Sequence, residues 1–231
     1  MQQTHYIIME LKSLKKDELI SMIENDFKIR IDSTLESAFV MAEEVHHGIK
    51  REDGKSSFLE THVYPVTLNV INHYRKTTHL LTTLQISSAI LHDVMEDNER
   101  ILNVYASQAY GFEAYFRHRF GEYIYNVAES LKTQPLENYS GSEEEKKISR
   151  FTDYCFTLSN SKYDIKVIKL ADRLNNMNFI SQIPNHEKIK RYLREAEDFY
   201  IAFSLFPPQM MDFYQEIRKS YQDLKGIKLV A

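Results

Sequence analysis

The residues of this chain best suited to chemistry lie in one short segment, 91–97, with the sequence Leu-His-Asp-Val-Met-Glu-Asp. His92 and Asp93 are neighbouring groups that can bind metal, and two more carboxylates, Glu96 and Asp97, follow four residues later. If the segment is helical, His92 shares a face with Glu96, because residues i and i+4 lie on one side of a helix. The same spacing places Asp93 with Asp97. An imidazole beside a carboxylate suits Mn, Fe, Zn or Mg, so the segment predicts part of a metal site.

Further ligands for such a metal must come from other parts of the chain. His62 lies thirty residues upstream of His92. His46 and His47 are also close in sequence, and composition alone leaves either of them as an alternative to His62. Asp172 lies far downstream in an apolar segment, where an ionisable group is costly to bury unless it is paired or bound to metal. The pattern H…HD…D therefore favours the ligand set of a metal-dependent phosphohydrolase over hydrogen-bonded core residues.

Composition limits the class of protein. The 231 residues, 43% of them hydrophobic, are enough for one large domain with a substantial core. Only 6 Gly and 5 Pro argue against an all-β protein rich in tight turns. The net charge of −4 predicts no nucleic-acid partner for the chain as a whole.

Sequence signals for the compartment point to the cytoplasm. Cys155 is the only cysteine, which excludes an internal disulfide and fits a reducing environment. The first ten residues lack a basic region followed by a long apolar run, so we expect no signal peptide. No stretch is long and apolar enough to span a bilayer, so we expect no membrane partner.

The apolar spacing along most of the chain is helical, which predicts an all-α bundle of about eight or more helices. Gly48 is a plausible stop for the first of them, and residues 49–60 and 133–145 are polar enough to be loops. Pro65 can open a helix at its first turn. The predicted helices cover 35–45, 65–74, 84–97, 115–131, 146–158, 165–180, 188–206 and 210–224.

Two motifs in these helices resemble the HD domain of the RelA/SpoT group, which hydrolyses the alarmones ppGpp and pppGpp. They are Ala-Ile-Leu-His-Asp-Val-Met-Glu-Asp-Asn at 89–98 and Ile-Lys-Leu-Ala-Asp-Arg-Leu-Asn-Asn-Met at 168–177. Segments 42–48 and 191–200 resemble the group's first block and the helix that follows its core. The resemblance spans roughly residues 30–205. It implies a stand-alone small alarmone hydrolase, with 1–231 as a single all-helical HD domain and a C-terminal helix at roughly 210–224.

The resemblance also implies a fold, a cofactor and a set of roles. The fold would be an all-α HD bundle that holds one Mn²⁺ ion. The implied reaction is removal of the 3′-pyrophosphate from (p)ppGpp, which gives GDP or GTP. The residues that match the metal ligands are His62, His92, Asp93 and Asp172. Glu96 and Asp97 match the acidic pair that handles the attacking water, and Arg173 and Asn176 match positions near the nucleotide.

The first loop departs from the group's pattern. The group usually has Arg-Lys-Ser-Gly-Glu-Pro before the first ligand histidine, and segment 50–62 is two residues longer. Arg51 can stand for the group's arginine, but Glu52 and Asp53 occupy the next two positions. Negative charge there should repel a phosphate, so we expect the loop to face the base or ribose. If the longer loop is aligned differently, Lys55 or Ser56 takes the place of the group's lysine or serine.

Cations must face the departing pyrophosphate. The candidates are Lys50, Arg51, Lys55, Lys166, Lys169 and Arg173. Lys169 precedes Asp172 by three residues and therefore lies near that ligand's helix face. The predicted substrate-binding residues are Arg51, Lys55, Lys169, Arg173 and Asn176.

Two other functions remain open from the sequence. The altered loop supports an HD phosphohydrolase that acts on another nucleotide, such as a 5′-nucleotide, NADPH or a dinucleotide. A non-catalytic nucleotide- or protein-binding module is the second alternative, although such a module has no need of Glu96. Each enzymatic function predicts a small-molecule nucleotide as the partner, and none of them fixes the oligomeric state.

Overall fold

The helical spacing of the sequence is realised as an all-α bundle. The structure is a computed structural model that describes residues 13–97, 99–108, 110–183 and 185–226. Apart from one antiparallel bridge between Lys50 and Ser57, these ranges contain no β-structure. The α-helices are α1 Lys16–Ser21, α2 Ser33–Val45, α3 Tyr64–Arg75, α4 Thr83–Ile90, α5 Glu99–Ala106, α6 Phe112–Leu131, α7 Glu143–Ser159, α8 Tyr163–Ile180, α9 His186–Glu195, α10 Ile201–Phe203 and α11 Met211–Gly226. The all-α prediction is confirmed.

Polar side chains at the helix starts explain several of these boundaries. Asp32 accepts a hydrogen bond from the backbone nitrogen of Leu35 at 2.9 Å, which caps α2. Ser142 and Glu145 form a reciprocal capping box at the start of α7. The acidic run that we assigned to a loop therefore forms the first turn of α7, where negative charge is stabilised by the helix dipole.

The core is organised around α8, which packs against α3 and α11. Its apolar residues, including Val167, Leu170 and Met177, are buried. Helix α4 packs against α3 and α2. Helices α4 and α8 therefore both pack against α3, and the segment that includes His62 leads into the start of α3.

The chain between α4 and α5 differs from the prediction. The predicted helix 84–97 ends at Ile90, and Leu91 to Glu96 form turns. The physical cause is a competing hydrogen bond, because Nδ1 of His92 donates to the carbonyl oxygen of Ala89 at 2.8 Å. In a continued helix that carbonyl would accept from the backbone of residue 93. The i, i+4 pairing of His92 with Glu96 and of Asp93 with Asp97 is therefore wrong.

Other differences are smaller. The predicted helix 188–206 consists of α9, a π-helical stretch Ala196–Tyr200 and α10, and it ends at Phe203. Helix α6 contains a break at Gly121, whose φ of 80° favours glycine. Helices α1 and α5 were not predicted. The C-terminal helix lies at Met211–Gly226, close to the predicted 210–224. None of the helices in the described ranges combines the length and hydropathy needed to cross a membrane.

Candidate metal centre

Separate elements bring the predicted metal ligands together. His62 lies in a π-helical stretch, Leu59–Val63, that leads directly into α3. His92 and Asp93 lie in the turns that follow α4, and Asp172 lies in the middle of α8. The ligand nitrogens of His62 and His92 and a carboxylate oxygen of Asp93 all lie within 4.8 Å of one another. This His62–His92–Asp93 group could hold a metal ion.

The three atoms that could bind a metal lie close enough together to share one ion. Oδ2 of Asp93 lies 3.0 Å from Nε2 of His62 and 3.2 Å from Nε2 of His92. The two Nε2 atoms are 3.2 Å apart. Both imidazoles are buried, and Asp93 is partly buried.

The outer nitrogens of both imidazoles are held by hydrogen bonds that fix their tautomers. Nδ1 of His92 donates to the carbonyl oxygen of Ala89, and Nδ1 of His62 lies 2.8 Å from the side-chain oxygen of Asn175. With each Nδ1 protonated, two Nε2 lone pairs face each other, an arrangement that requires a proton or a cation between them. Histidine ligands of protein metal sites are commonly oriented in this way. The donor set therefore fits a divalent metal.

Charge in the group also favours a cation. Burial acts to lower the pKa of His92, but the adjacent Asp93 carboxylate and Asp172 raise it to about 9. Burial acts to raise the pKa of Asp93, but His92 and His62 hold it well below its usual range. The negative charge that holds a proton on His92 would equally hold a metal ion.

Asp172, the fourth predicted ligand, lies beside the three-residue group. Its Oδ1 is 3.6 Å from Nε2 of His62. Its Oδ2 accepts a hydrogen bond from Nζ of Lys169 at 2.8 Å, and its Oδ1 accepts one from Nδ2 of Asn176. Burial acts to raise the pKa of Asp172, but Lys169 lowers it overall, so the carboxylate stays ionised. Asp172 is placed to join the group, and its role as a ligand stays a prediction.

The structure separates the two alternative histidines from the group. The ring of His46 packs on Phe58 at a centroid distance of 5.0 Å, and Phe58 in turn packs on His62. His46 is buried, and its Nδ1 lies 3.3 Å from Oδ2 of Asp97. His47 is exposed. His62 is therefore the histidine that joins His92 and Asp93, and the two neighbouring histidines do not.

The two predicted catalytic carboxylates have different partners. Oε1 of Glu96 accepts hydrogen bonds from the backbone nitrogen and the hydroxyl of Thr133, both at 2.7 Å. Asp97 instead lies beside His46, with no hydrogen bond between the two side chains. Glu96 is exposed and Asp97 is partly exposed. Thr133 lies on the wall of a cavity that also includes Asp172, and neither Glu96 nor Asp97 is among the residues that line it.

This cavity, of about 200 Å³, is lined by more cations than carboxylates. Its charged residues are Lys147, Arg150, Lys169, Asp172, Arg173, Arg191 and Glu195. Nη2 of Arg173 donates to Glu195 at 2.6 Å, while its buried Nη1 meets no acceptor in hydrogen-bond geometry within the described residues. Five cations around two carboxylates suit a phosphorylated ligand. We name this the cationic cavity.

A larger groove adjoins the cationic cavity. It has a volume of about 1040 Å³, lies between α7 and α9, and shares Lys147, Phe151, Arg191 and Glu195 with the smaller space. Its walls are mixed in charge and include aromatic surface. The combined space is large enough for a nucleotide.

The first loop is held by its own contacts. Asp53 accepts hydrogen bonds from the backbone nitrogens of Lys55 and Ser56, each at 2.9 Å, and from the Ser56 hydroxyl. Glu52 forms an ion pair with Lys188 of α9 at the edge of the larger groove. Lys55 is exposed and lines neither space. The carboxylates of this loop are therefore already engaged.

Of the five predicted substrate-binding residues, three line the cationic cavity: Lys169, Arg173 and Asn176. Lys55 does not, and neither does Arg51, which is buried against α8. Sequence reasoning missed Lys147, Arg150 and Arg191, whose convergence depends on how α7 and α9 pack beside α8. It also missed Asn175. Nothing in the sequence around Asn175 indicates that its side chain lies within hydrogen-bond distance of His62.

No protein-family model matches this chain, and a search of curated proteins finds no significant match.

Proposed function

We propose that the protein is a metal-dependent phosphohydrolase that acts on a nucleotide. The observation that carries the proposal is the His62–His92–Asp93 group beside the cationic cavity. A divalent ion bound there would lower the pKa of a water molecule and neutralise charge on the phosphoryl oxygens. Asp172 belongs to both features, since it approaches His62 and lines the cavity.

The chain's own residues supply the remaining steps. Glu96, which is hydrogen-bonded to Thr133 on the cavity wall, accepts the proton of the attacking water. Lys169 and Arg173 bind the oxygens of the pyrophosphoryl group and stabilise the charge that develops on them as water attacks. The larger groove receives the nucleoside. Arg173 is buried and Lys169 is partly buried, which strengthens these interactions by limiting contact with water.

The specific reaction that we propose is Mn²⁺-dependent hydrolysis of ppGpp and pppGpp. Water adds to the phosphorus attached to the ribose 3′ oxygen, the bond between that oxygen and phosphorus breaks, and a proton passes to the 3′ oxygen. The products are GDP or GTP and pyrophosphate. Support for this substrate comes from the paired motifs around His92-Asp93 and Asp172-Arg173.

The first loop favours a second substrate class. Because Glu52 is paired with Lys188 and Asp53 caps its own loop, neither carboxylate is presented to the donors of a guanine base. A different nucleotide, such as NADPH or a 5′-nucleotide, would not depend on those contacts. The second candidate is therefore a phosphohydrolase with the same metal centre and another base.

A substrate panel decides between these functions. Purified protein loaded with Mn²⁺ is incubated with ppGpp, pppGpp, the adenine analogue of ppGpp, NADPH and simple 5′-nucleotides, and released phosphate and pyrophosphate are measured. We expect the highest kcat/KM with ppGpp or pppGpp. Preference for NADPH or a 5′-monophosphate would contradict the alarmone proposal and keep the phosphohydrolase. Inactivity on every compound would favour a binding module.

Metal binding should be measurable as stabilisation. At 100 times its Kd, Mn²⁺ contributes about 2.7 kcal/mol to the free energy of unfolding. In a chain of this size, that corresponds to a rise in melting temperature of about 5–10 °C. Calorimetry with and without Mn²⁺ gives the shift, with Ca²⁺ as a comparison ion.

Crystals grown with Mn²⁺ test the position of the ion. We expect one anomalous peak bounded by His62, His92 and Asp93, with Asp172 as the fourth ligand. Absence of a peak between these side chains would contradict the metal centre. A peak that excludes Asp172 would contradict only its place in the ligand set.

A further inference from the structure

We propose that Arg51 is a positioning residue of the metal centre and does not contact the nucleotide. The proposal rests on the metal centre proposed above. Its basis is a network of hydrogen bonds in which one guanidinium holds two neighbouring amides, and each amide holds a different metal-site side chain.

The first part of the network is the guanidinium itself. Nη1 of Arg51 donates to the side-chain oxygen of Asn175 at 2.8 Å and to the carbonyl oxygen of Thr61 at 3.3 Å. Nη2 donates to the side-chain oxygen of Asn176 at 2.8 Å. The planar group also packs over the ring of Phe179 at 3.8 Å. These contacts place Arg51 between the segment of His62 and helix α8.

The second part connects each amide to a metal-site residue. The side-chain oxygen of Asn175 lies 2.8 Å from Nδ1 of His62, and the nitrogen of Asn176 donates to Oδ1 of Asp172. Arg51 donates to both amide oxygens. If either amide rotated by 180°, its NH2 group would face an N–H of Arg51, and neither group could accept a hydrogen bond. Arg51 therefore fixes which end of each amide faces the metal centre.

The orientation of Asn175 has a direct consequence for metal binding. When its oxygen faces His62, the proton of that imidazole stays on Nδ1 and leaves Nε2 able to bind metal. A rotated amide would present its nitrogen to Nδ1 and move the ring proton to Nε2, where it blocks the metal. The carbonyl of Thr61 accepts from both Arg51 and Asn175, which reinforces the same orientation.

The surroundings of Arg51 do not suit a substrate contact. The residue is only 9% exposed, and it lines neither the cationic cavity nor the larger groove. Lysine cannot replace it, because a single ammonium cannot present the fixed, forked pair of donors that two adjacent amide oxygens require. The role therefore needs arginine in particular.

The test separates metal affinity from substrate binding. Arg51→Lys keeps the charge and most of the stem, and Arg51→Gln is a neutral second variant. Mn²⁺ affinity is measured by electron paramagnetic resonance titration, and kcat and KM are measured at saturating Mn²⁺. We expect about a 10–100-fold loss of Mn²⁺ affinity with little change in KM. The matched control is Lys55→Gln in the same loop, which should leave Mn²⁺ affinity unchanged because Lys55 is exposed.

A compensating variant provides a rescue. Asn175→Asp offers only acceptors to His62, so the tautomer no longer depends on Arg51, while the hydrogen bond from residue 175 to the Thr61 carbonyl is lost. The double variant Arg51→Lys with Asn175→Asp should recover part of the Mn²⁺ affinity lost in Arg51→Lys. Nitrogen NMR of the metal-free protein reads the tautomer of His62 directly, and we expect the Nδ1–H form in the wild type and a mixture in the Arg51 variants.

The outcomes distinguish this proposal from the proposed function. Unchanged Mn²⁺ affinity with a raised KM in the Arg51 variants would overturn the positioning role and restore Arg51 as a substrate contact. If the wild type binds no Mn²⁺, the proposed metal centre is wrong. An unchanged His62 tautomer in the Arg51 variants would overturn the positioning role whatever the result for Mn²⁺. Circular dichroism of each metal-free variant establishes that it is folded.

Discussion

Asp93→Asn is expected to abolish Mn²⁺ binding and hydrolysis together. Asp93 is the only carboxylate in the His62–His92–Asp93 group, and its Oδ2 lies within 3.2 Å of Nε2 of both histidines. An amide of the same shape removes the negative charge and can present a donor toward the metal. Metal ions supply several kcal/mol of transition-state stabilisation, so the loss in kcat/KM should be about 10³-fold or more. Mn²⁺ titration and steady-state kinetics measure the two effects on one preparation.

Asp212→Asn is a closely matched control for this variant. Asp212 also pairs with a buried histidine, His73, at 2.9 Å, and its side chain is 22% exposed, as is that of Asp93. The pair joins α11 to α3, so this control should affect stability and leave Mn²⁺ affinity unchanged. Normal metal binding by Asp93→Asn would contradict the proposed centre, and equal loss in both variants would indicate a general effect on the fold.

The metal group was predictable from sequence because its members carry their own signal. His92 and Asp93 are ionisable residues in an apolar stretch, and Asp172 repeats that pattern on α8. Burial of such groups requires partners, which is a constraint that one chain reveals without its structure. Residue type alone left His46 and His47 as alternatives to His62, which the motif resemblance favoured, and packing separates them because it places His46 behind Phe58.

Most helices were also predictable, since apolar periodicity determines which stretches can bury a face. α8 was predicted at 165–180 and lies at Tyr163–Ile180. The end of α4 was not predictable in this way, because periodicity does not report that the His92 side chain takes the carbonyl of Ala89. Side chains that compete for backbone groups end helices without changing the apolar pattern.

The role that we propose for Arg51 could not be read from its loop. A cation in a polar segment predicts a ligand contact, and the sequence contains no sign that Asn175 and Asn176 on α8 lie within reach. The same holds for Glu52, whose ion pair with Lys188 spans segments far apart in the chain. Long-range pairing of polar side chains is decided by packing.

Glu96→Gln is expected to abolish hydrolysis and to leave Mn²⁺ binding intact. Both hydrogen bonds from Thr133 go to Oε1 of Glu96, and glutamine keeps an acceptor for them. The amide cannot take a proton from water, so kcat should fall by about 10²–10⁴-fold. Mn²⁺ affinity should match that of the wild type, because Glu96 lies outside the His62–His92–Asp93 group. Single-turnover hydrolysis and Mn²⁺ titration together give the comparison with Asp93→Asn.

Thr133→Ala distinguishes a proton acceptor from a structural contact at Glu96. If Glu96 acts only by holding Thr133 in place, loss of the Thr133 hydroxyl should also lower kcat. The remaining hydrogen bond from the Thr133 backbone nitrogen would then not be enough to keep kcat normal. We expect a small effect instead, since the carboxylate remains available to water. Near-normal turnover by Glu96→Gln would remove Glu96 from catalysis and direct attention to Asp97, whose carboxylate lies 3.3 Å from Nδ1 of the buried His46. Loss of Mn²⁺ in Glu96→Gln equal to that in Asp93→Asn would instead show that Glu96 is a metal ligand.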